Sequence, residues 1–337
     1  MSLAEQNATF SLPVFRSADL MVVSGANTGD ALSFAEELEH SDVYNLSKGA
    51  RMTRLSVQPR HDETLVIASD TGAGHPGALL HLDSCLTLMS PDGQTTEVLL
   101  LVEVDDEGGV VEIYALPLAA LHFKTDYSLV TIDRDSTRAK LAELACVFFT
   151  RGTHITMANG AQKPIEDLKV GDRVLTRDDG PQEIRWIGQN TVRAVGEYAP
   201  IVITAGTLHN EHDLVVSPEH RLFIYQRSDA LGAGRSELLV RARHLVNGHS
   251  VYRQDGGFVD YFQLLFDSHQ IIYAEGIAAE TLLIDPRTRP ALPAELAEKL
   301  SATLSVHAQK PHLAYEVKES LLDRPDAAEI LRRASTR

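Results

Sequence analysis

Between residues 54 and 132 the chain alternates short apolar and β-branched runs with clusters of turn residues. Segments 54–57, 64–68, 78–82, 85–89, 97–104, 110–116 and 127–132 each have the length and composition of a strand. Gly72-Ala73-Gly74-His75-Pro76-Gly77, Ser90-Pro91-Asp92-Gly93 and Asp105-Asp106-Glu107-Gly108-Gly109 separate them with residues that accept turn conformations. This rhythm predicts an antiparallel β-rich unit, either a small barrel or a sandwich. Two helices flank it. Asp30 is placed to cap a helix over 31–39, where Leu32, Phe34 and Ala35 lie at near-helical spacing. Asp135-Ser136 is placed to start another over Thr137–Ala145.

From Cys146 to about residue 285 short strands and turns resume, with single helical turns suggested at 165–168 and Ala242–Leu245. Pro286, Pro290 and Pro293 then mark a linker. The tail reads as helical in pieces over 294–300, 313–322 and 325–333, with Pro325 suited to a first turn and Arg332-Arg333 to a last one. The expected fold class is therefore mainly β. An N-terminal β-rich domain occupies 1–145, a second all-β domain 146–285, and a linker with a short helical C-terminal tail 286–337.

Charge sharpens that division. The net charge of −16 is concentrated in 1–145, which carries 22 acids against 9 bases, while 286–337 is slightly basic. An acidic surface repels phosphate backbones, so nucleic acid is not an expected partner. Hydrophobic content of 44% with 23% charged residues is that of a globular protein. No apolar run approaches a membrane span, since Leu99-Leu100-Leu101-Val102 is broken by Glu103. No basic segment followed by an apolar stretch opens the chain, so the expected location is cytoplasmic, with export independent of a signal peptide left open. Two cysteines, Cys85 and Cys146, cannot build a disulfide framework or a Cys-x-x-Cys zinc site.

Candidate chemistry lies in the second domain, in three blocks. The first is Phe148-Phe149-Thr150-Arg151-Gly152-Thr153, then an Asn159-Gly160 turn, Ile165-Glu166-Asp167-Leu168 and Gly171-Asp172-Arg173-Val174. Taken alone it is a strand, a turn and a strand. The second is Ser217-Pro218-Glu219-His220, and the third Asp267-Ser268-His269-Gln270-Ile271-Ile272. In this order the blocks resemble the Hint (Hedgehog/intein) domains of self-processing proteins, over residues 146–285. Ile184-Arg185-Trp186-Ile187-Gly188 agrees with some bacterial members. The resemblance implies a horseshoe-like all-β fold. It also implies autoprocessing of the protein-splicing type, with a His that assists departure of the scissile nitrogen, a hydroxyl that polarises that peptide, and an Asp and a His that support acyl transfer. Those positions are here His220, Ser217, Asp267 and His269. An imidazole suits the task because an amide nitrogen leaves only once protonated.

The nucleophile does not follow the pattern. Members of that family carry Cys or Ser four residues before the glycine of the first Gly-Thr, and here that residue is Phe148. A phenyl ring cannot attack the preceding carbonyl. Cys146 and Thr150 are the nearest substitutes. On a strand each is displaced by about 7 Å, twice the spacing that reaction requires. Cys146 reads equally as a small buried hydrophobe. The family's terminal His-Asn is also missing, its place taken by Ile277-Ala278-Ala279-Glu280-Thr281, so no Asn is there to cyclise.

Three functions follow. In the first, the domain is catalytically degenerate and persists as a structural or interaction module. In the second, it cleaves itself near residues 145–150, using Cys146, Thr150 or an activated water with His220 and His269. In the third, the acidic N-terminal domain is the working part and holds a protein partner or ligand that no motif identifies. The first is the preferred expectation. No cofactor is called for. His209-x-x-His212 with Glu211 and Asp213 offers metal donors, but a polar loop accounts for it, so no metal is expected.

Overall fold

The computed structural model describes residues 10–60, 64–146, 148–226, 229, 232–284, 288, 315–317, 319–322 and 330. The chain divides into two compact units, Met1–Glu143 and Leu144–Arg337. The described secondary structure is mainly strand.

In the first unit nine strands form one sheet: β1 (Phe10–Arg16), β2 (Leu20–Ser24), β3 (Val43–Leu46), β4 (Thr53–Pro59), β5 (Leu65–Ile67), β6 (Leu79–Met89), β7 (Thr95–Val104), β8 (Val110–Pro117) and β9 (Asp126–Asp133). Their order is β2-β3-β9-β6-β5-β4-β1-β8-β7, and β7 pairs back onto β6. That last pairing closes six strands, β1, β4, β5, β6, β7 and β8, into a barrel. Closure removes the open edges these six strands would otherwise expose, while β9, β3 and β2 continue the sheet outward from β6. β6 is long enough to serve two neighbours on one side. Leu79 and Leu80 pair with β5, while Cys85–Met89 pair with β9. Segments 78–82 and 85–89 are therefore one strand, not two, bent by a bulge between Leu82 and Ser84. In β7, Val98, Leu99, Leu100 and Leu101 are all fully buried. A run buried on both faces lacks alternation, which is why this strand reads as one apolar block.

The helix expected over 31–39 is absent. Asp30 and Leu32 instead extend along β2, with the Val22 amide donating to Asp30 O at 2.9 Å and the Leu32 amide to Leu20 O at 2.8 Å. The Ala35 amide donates to the Asp83 carboxylate. Leu32 and Leu38 reach the core from this irregular segment, so tertiary pairing overrides a weak local helical preference. β1 to β3 were not foreseen, being short and set among polar residues. The helix α1 (Thr137–Ala145) forms where expected, with Asp133 accepting from the Ser136 hydroxyl and from the amides of Asp135 and Ser136.

In the second unit, β10 (Phe149–Thr150), β11 (His154–Thr156), β12 (Gln162–Pro164), β13 (Arg173–Leu175), β14 (Pro181–Glu183), β15 (Trp186–Arg193), β16 (Ile201–Ile203), β17 (Leu214–Val216), β18 (Arg221–Tyr225), β19 (Glu237–Arg241), β20 (Val251–Arg253), β21 (Phe258–Leu265), β22 (Ile271–Ala274) and β23 (Ile277–Glu280) build two six-stranded sheets and a hairpin. One sheet runs β15-β21-β10-β17-β16-β20, the other β12-β11-β22-β23-β18-β19, and β13 pairs with β14. Asn159-Gly160 turns between β11 and β12, with Gly160 at φ 82°. Single 3-10 turns lie at Ile165–Asp167 and Ala242–Leu245.

The tail differs from its expected form. Glu316 bridges Leu239 of β19 in parallel, and the Val317 amide donates to Leu239 O at 3.2 Å. Only Glu319–Leu322 (α2) is α-helical within 313–322 among the described residues. Val317 and Leu322 join the core of the second unit, so burial against β19 decides this segment. The helices expected over 294–300 and 325–333 lie outside the described residues, apart from Ile330. No described helix is long and apolar enough to cross a membrane.

A buried acid ties a loop to the barrel. Glu103 of β7 accepts from the Tyr114 hydroxyl at 2.6 Å and from the His75 amide at 2.9 Å, and His75 Nδ1 lies 2.7 Å away. Burial and this bond raise the Tyr114 pKa, so the phenol stays protonated as donor. Glu103→Ala orphans the buried Tyr114 hydroxyl and removes the acceptor of the His75 amide, and a loss of about 3 kcal/mol is expected in urea unfolding followed by far-ultraviolet circular dichroism.

Candidate functional site

The main chain of Phe148 is gripped from both sides by one turn. β17 ends at Val216, and Ser217-Pro218-Glu219-His220 then carries the chain from the first sheet of this unit into β18 of the second. The Phe148 amide donates to Ser217 Oγ at 3.1 Å. Its carbonyl accepts from the Ser217 amide at 3.0 Å and from His220 Nδ1 at 2.9 Å. A carbonyl only accepts, so His220 carries its proton on Nδ1. The imidazole thus holds the Phe148 oxygen, and Ser217 holds the Phe148 nitrogen.

His220 is fully buried and packs edge-on against the Phe149 ring, 4.4 Å between centroids. Burial pushes its pKa down to about 4, although the Phe148 carbonyl and Glu280 pull upward. It is neutral at pH 7. The Phe148 ring lies 5.1 Å from that of Tyr261, tilted by 34°.

Cys146 and Thr150, the two residues considered as substitute nucleophiles, are both buried. Cys146 is buried with Leu265, Leu282 and Ile284, and Phe148 and Trp186 pack on the same cluster. Thr150 is buried on β10 and its hydroxyl donates to Val215 O at 2.9 Å. Ser217 and His220 meet at Phe148; Asp267 and His269 part company. Asp267 is exposed and clasped by Arg185, whose Nε lies 2.9 and 3.0 Å from its two oxygens. His269 is fully buried with Nε2 2.9 Å from Glu280 Oε1.

Glu280 leads into a chain of charges that the sequence reading passed over. Arg221 Nη1 donates to Glu280 at 2.8 Å and Arg221 Nε to Glu316 at 3.1 Å. Arg241 Nη2 reaches the same Glu316 oxygen at 2.8 Å, and Glu219 lies against Arg241 and Arg243. Burial alone would raise the Glu280 pKa, but Arg221 and His269 outweigh it and hold the carboxylate far below its ordinary range. One signal was available: Glu280 is the sole charge in Ile277-Ala278-Ala279-Glu280-Thr281-Leu282-Leu283-Ile284, and a charge inside an apolar run needs a buried partner.

The donors in 209–213 also regroup. Asp213 accepts from the Ala205 amide, while His212 turns to Glu275 together with His154, two residues not considered from sequence.

Residues 146–286 match the family model of the Hint domain. Over 133 residues the chain is 28% identical to the catalytic polypeptide of the V-type proton ATPase of Candida tropicalis, a match covering 32% of this chain and 12% of that protein.

Two measurements probe the site through Trp186, the chain's single tryptophan, which packs in this unit. His220 has a folded pKa near 4 against about 6.5 unfolded, so between these values the unfolded chain binds the extra proton. Stability is constant in this respect above pH 6.5. It falls by up to about 1.4 kcal/mol per pH unit toward pH 4, and His220→Gln flattens that slope in urea titrations read by tryptophan fluorescence. By the same readout Glu316→Ala costs about 3 kcal/mol at pH 7, since it leaves two buried guanidinium groups sharing one acid fewer.

Proposed function

We propose, on the premise that residues 146–286 form a Hint domain, that this domain is silent in self-processing and serves as a structural or interaction module. The observation that carries the reading is Phe148 at the nucleophile position, with its main chain held by Ser217 and His220. In a working site those two groups strain and protonate the peptide to be cleaved. Around Phe148 they satisfy the polar groups of a half-buried peptide, a role that needs no turnover. The surroundings of the substitutes support the same reading. Cys146 is enclosed by the apolar side chains of Leu265, Leu282 and Ile284, and Thr150 already donates its proton to a carbonyl.

Nothing is carried over from the proton ATPase beyond likeness, because the match covers 12% of that protein. The module acts in cis on its own chain, displaying the acidic β-barrel unit to a protein partner or ligand.

The purified full chain is expected to keep one intact mass during incubation with dithiothreitol. Phe148→Cys installs a thiol at the one position the clamp surrounds. Thiol-dependent release of a fragment ending at Val147 is expected from that variant, slowed at least tenfold by adding Ser217→Ala. Cleavage of the unaltered chain between 145 and 150 sinks the proposal, and the end residue of the fragment then names the nucleophile.

A further inference from the structure

Away from Phe148, three segments distant in sequence converge on one carboxylate. Glu275 and Gly276 form the two-residue turn between β22 and β23, since Ala274 pairs with Ile277. Both turn residues have positive φ, 49° and 82°. Glycine, asparagine and aspartate dominate such turns, and glutamate there is a strained choice that the surroundings must enforce. The strain places its carboxylate in the interior, 2% exposed. His154 on β11 brings Nδ1 to 2.9 Å from Glu275 Oε1, and His212, from the loop before β17, brings Nδ1 to 2.9 Å from Oε2. The two imidazole centroids are 5.3 Å apart. One ligating atom from each of the three residues lies within 4.8 Å of the others.

We infer that His154, His212 and Glu275 form a divalent-metal site whose natural occupant is zinc. Two imidazoles and one carboxylate are a donor set that zinc takes with a fourth position left to water. Bonds of 2.0–2.2 Å in a tetrahedron set donor–donor edges of about 3.4 Å, within the span these atoms already occupy. Glu275 Oε1 also accepts from the His154 amide at 2.6 Å, which fixes the carboxylate while Oε2 turns to the ion. The Glu275 amide donates to His154 O and the Glu211 amide to Glu275 O, so the backbones of all three segments are already docked. Access is open, because the His212 side chain is 67% exposed and that of His154 35%. On binding, each imidazole gives up its Nδ1 proton, takes one at Nε2, and offers the Nδ1 lone pair. The ion then clips the loop before β17 to the β22–β23 turn. This site is independent of the reading of Phe148 and survives its failure.

The test is zinc binding by the full chain, stripped with a chelator and titrated against a chromophoric competitor. The chain has 14 histidines, so stoichiometry and residue dependence are the criteria. One zinc per chain is expected, weakened at least tenfold in His212→Ala and Glu275→Gln and unchanged in His209→Ala. His212 is exposed, so its variant keeps the test valid should Glu275→Gln fail to fold. Cobalt(II) in place of zinc is expected to give a d–d spectrum that His212→Ala alters. No stoichiometric zinc on the unaltered chain, or equal affinity in His212→Ala, overturns the inference.

Discussion

Two arginines facing each other across a strand pair set the terms for the second unit. Arg221 of β18 and Arg241 of β19 are register partners, and both are almost completely buried. Like charges directly opposite repel, and an unpaired buried charge is among the most costly features a core can contain. The arrangement holds because carboxylates are interleaved with the cations: Glu280 on Arg221, Glu316 between Arg221 and Arg241, and Glu219 between Arg241 and Arg243. Three acids and three arginines balance. Desolvation makes such a chain a weak source of net stability, yet removing any member is expensive. It therefore acts as a specifier. β18, β19, β23, the turn at Glu219 and the tail at Glu316 have one arrangement in which every charge is answered.

That requirement accounts for features outside the two sheets. Glu316 lies beyond the residues matched to the Hint domain, and it reaches Arg221 and Arg241 only because 316–317 runs along β19. The same network fixes the turn that grips Phe148, since Glu219 and Arg221 flank His220 in sequence and both are anchored by charge. His220 sits between this charged region and the Phe148 carbonyl, and it remains neutral because burial outweighs the pull of Glu280. Ser217 and His220 satisfy main-chain atoms of residue 148, and those atoms are present whatever side chain stands there.

What the sequence revealed, and what it withheld, divides along the range of the interactions involved. α1 was legible because its start signal and its helical residues are neighbours. The Asn159-Gly160 turn, the 3-10 turns and most barrel strands were legible for the same reason. The Hint blocks were legible because their order along the chain is itself the signal. By contrast, segment 31–39 has a helix-like pattern that pairing with β2 overrides, and nothing local announces β2. β6 reads as two strands because a bulge interrupts its alternation. Within 313–322, a composition that suits a helix yields at 316–317 to pairing and burial against β19, where Glu316 meets residues 75 and 95 positions earlier. Asp267 was chosen for its place in a motif, while the position of its side chain is decided by Arg185 on a neighbouring segment.

The hairpin of β22 and β23 shows how environment, more than residue type, assigns a role. It carries two buried glutamates, Glu275 at its turn and Glu280 at its open end, each with an exposure of 2% or less. Glu280 faces Arg221 and His269, both themselves buried, so its charge is already neutralised and no solute can reach it. Glu275 faces two imidazoles that are partly open to solvent. A carboxylate answered by a guanidinium is finished as a structural element, because that cation neither dissociates nor leaves room for another. A carboxylate answered by two histidines is not finished in that sense. The protons the imidazoles present to it can be replaced by a single ion of greater charge, and the geometry that now holds two hydrogen bonds is close to the one that ion needs.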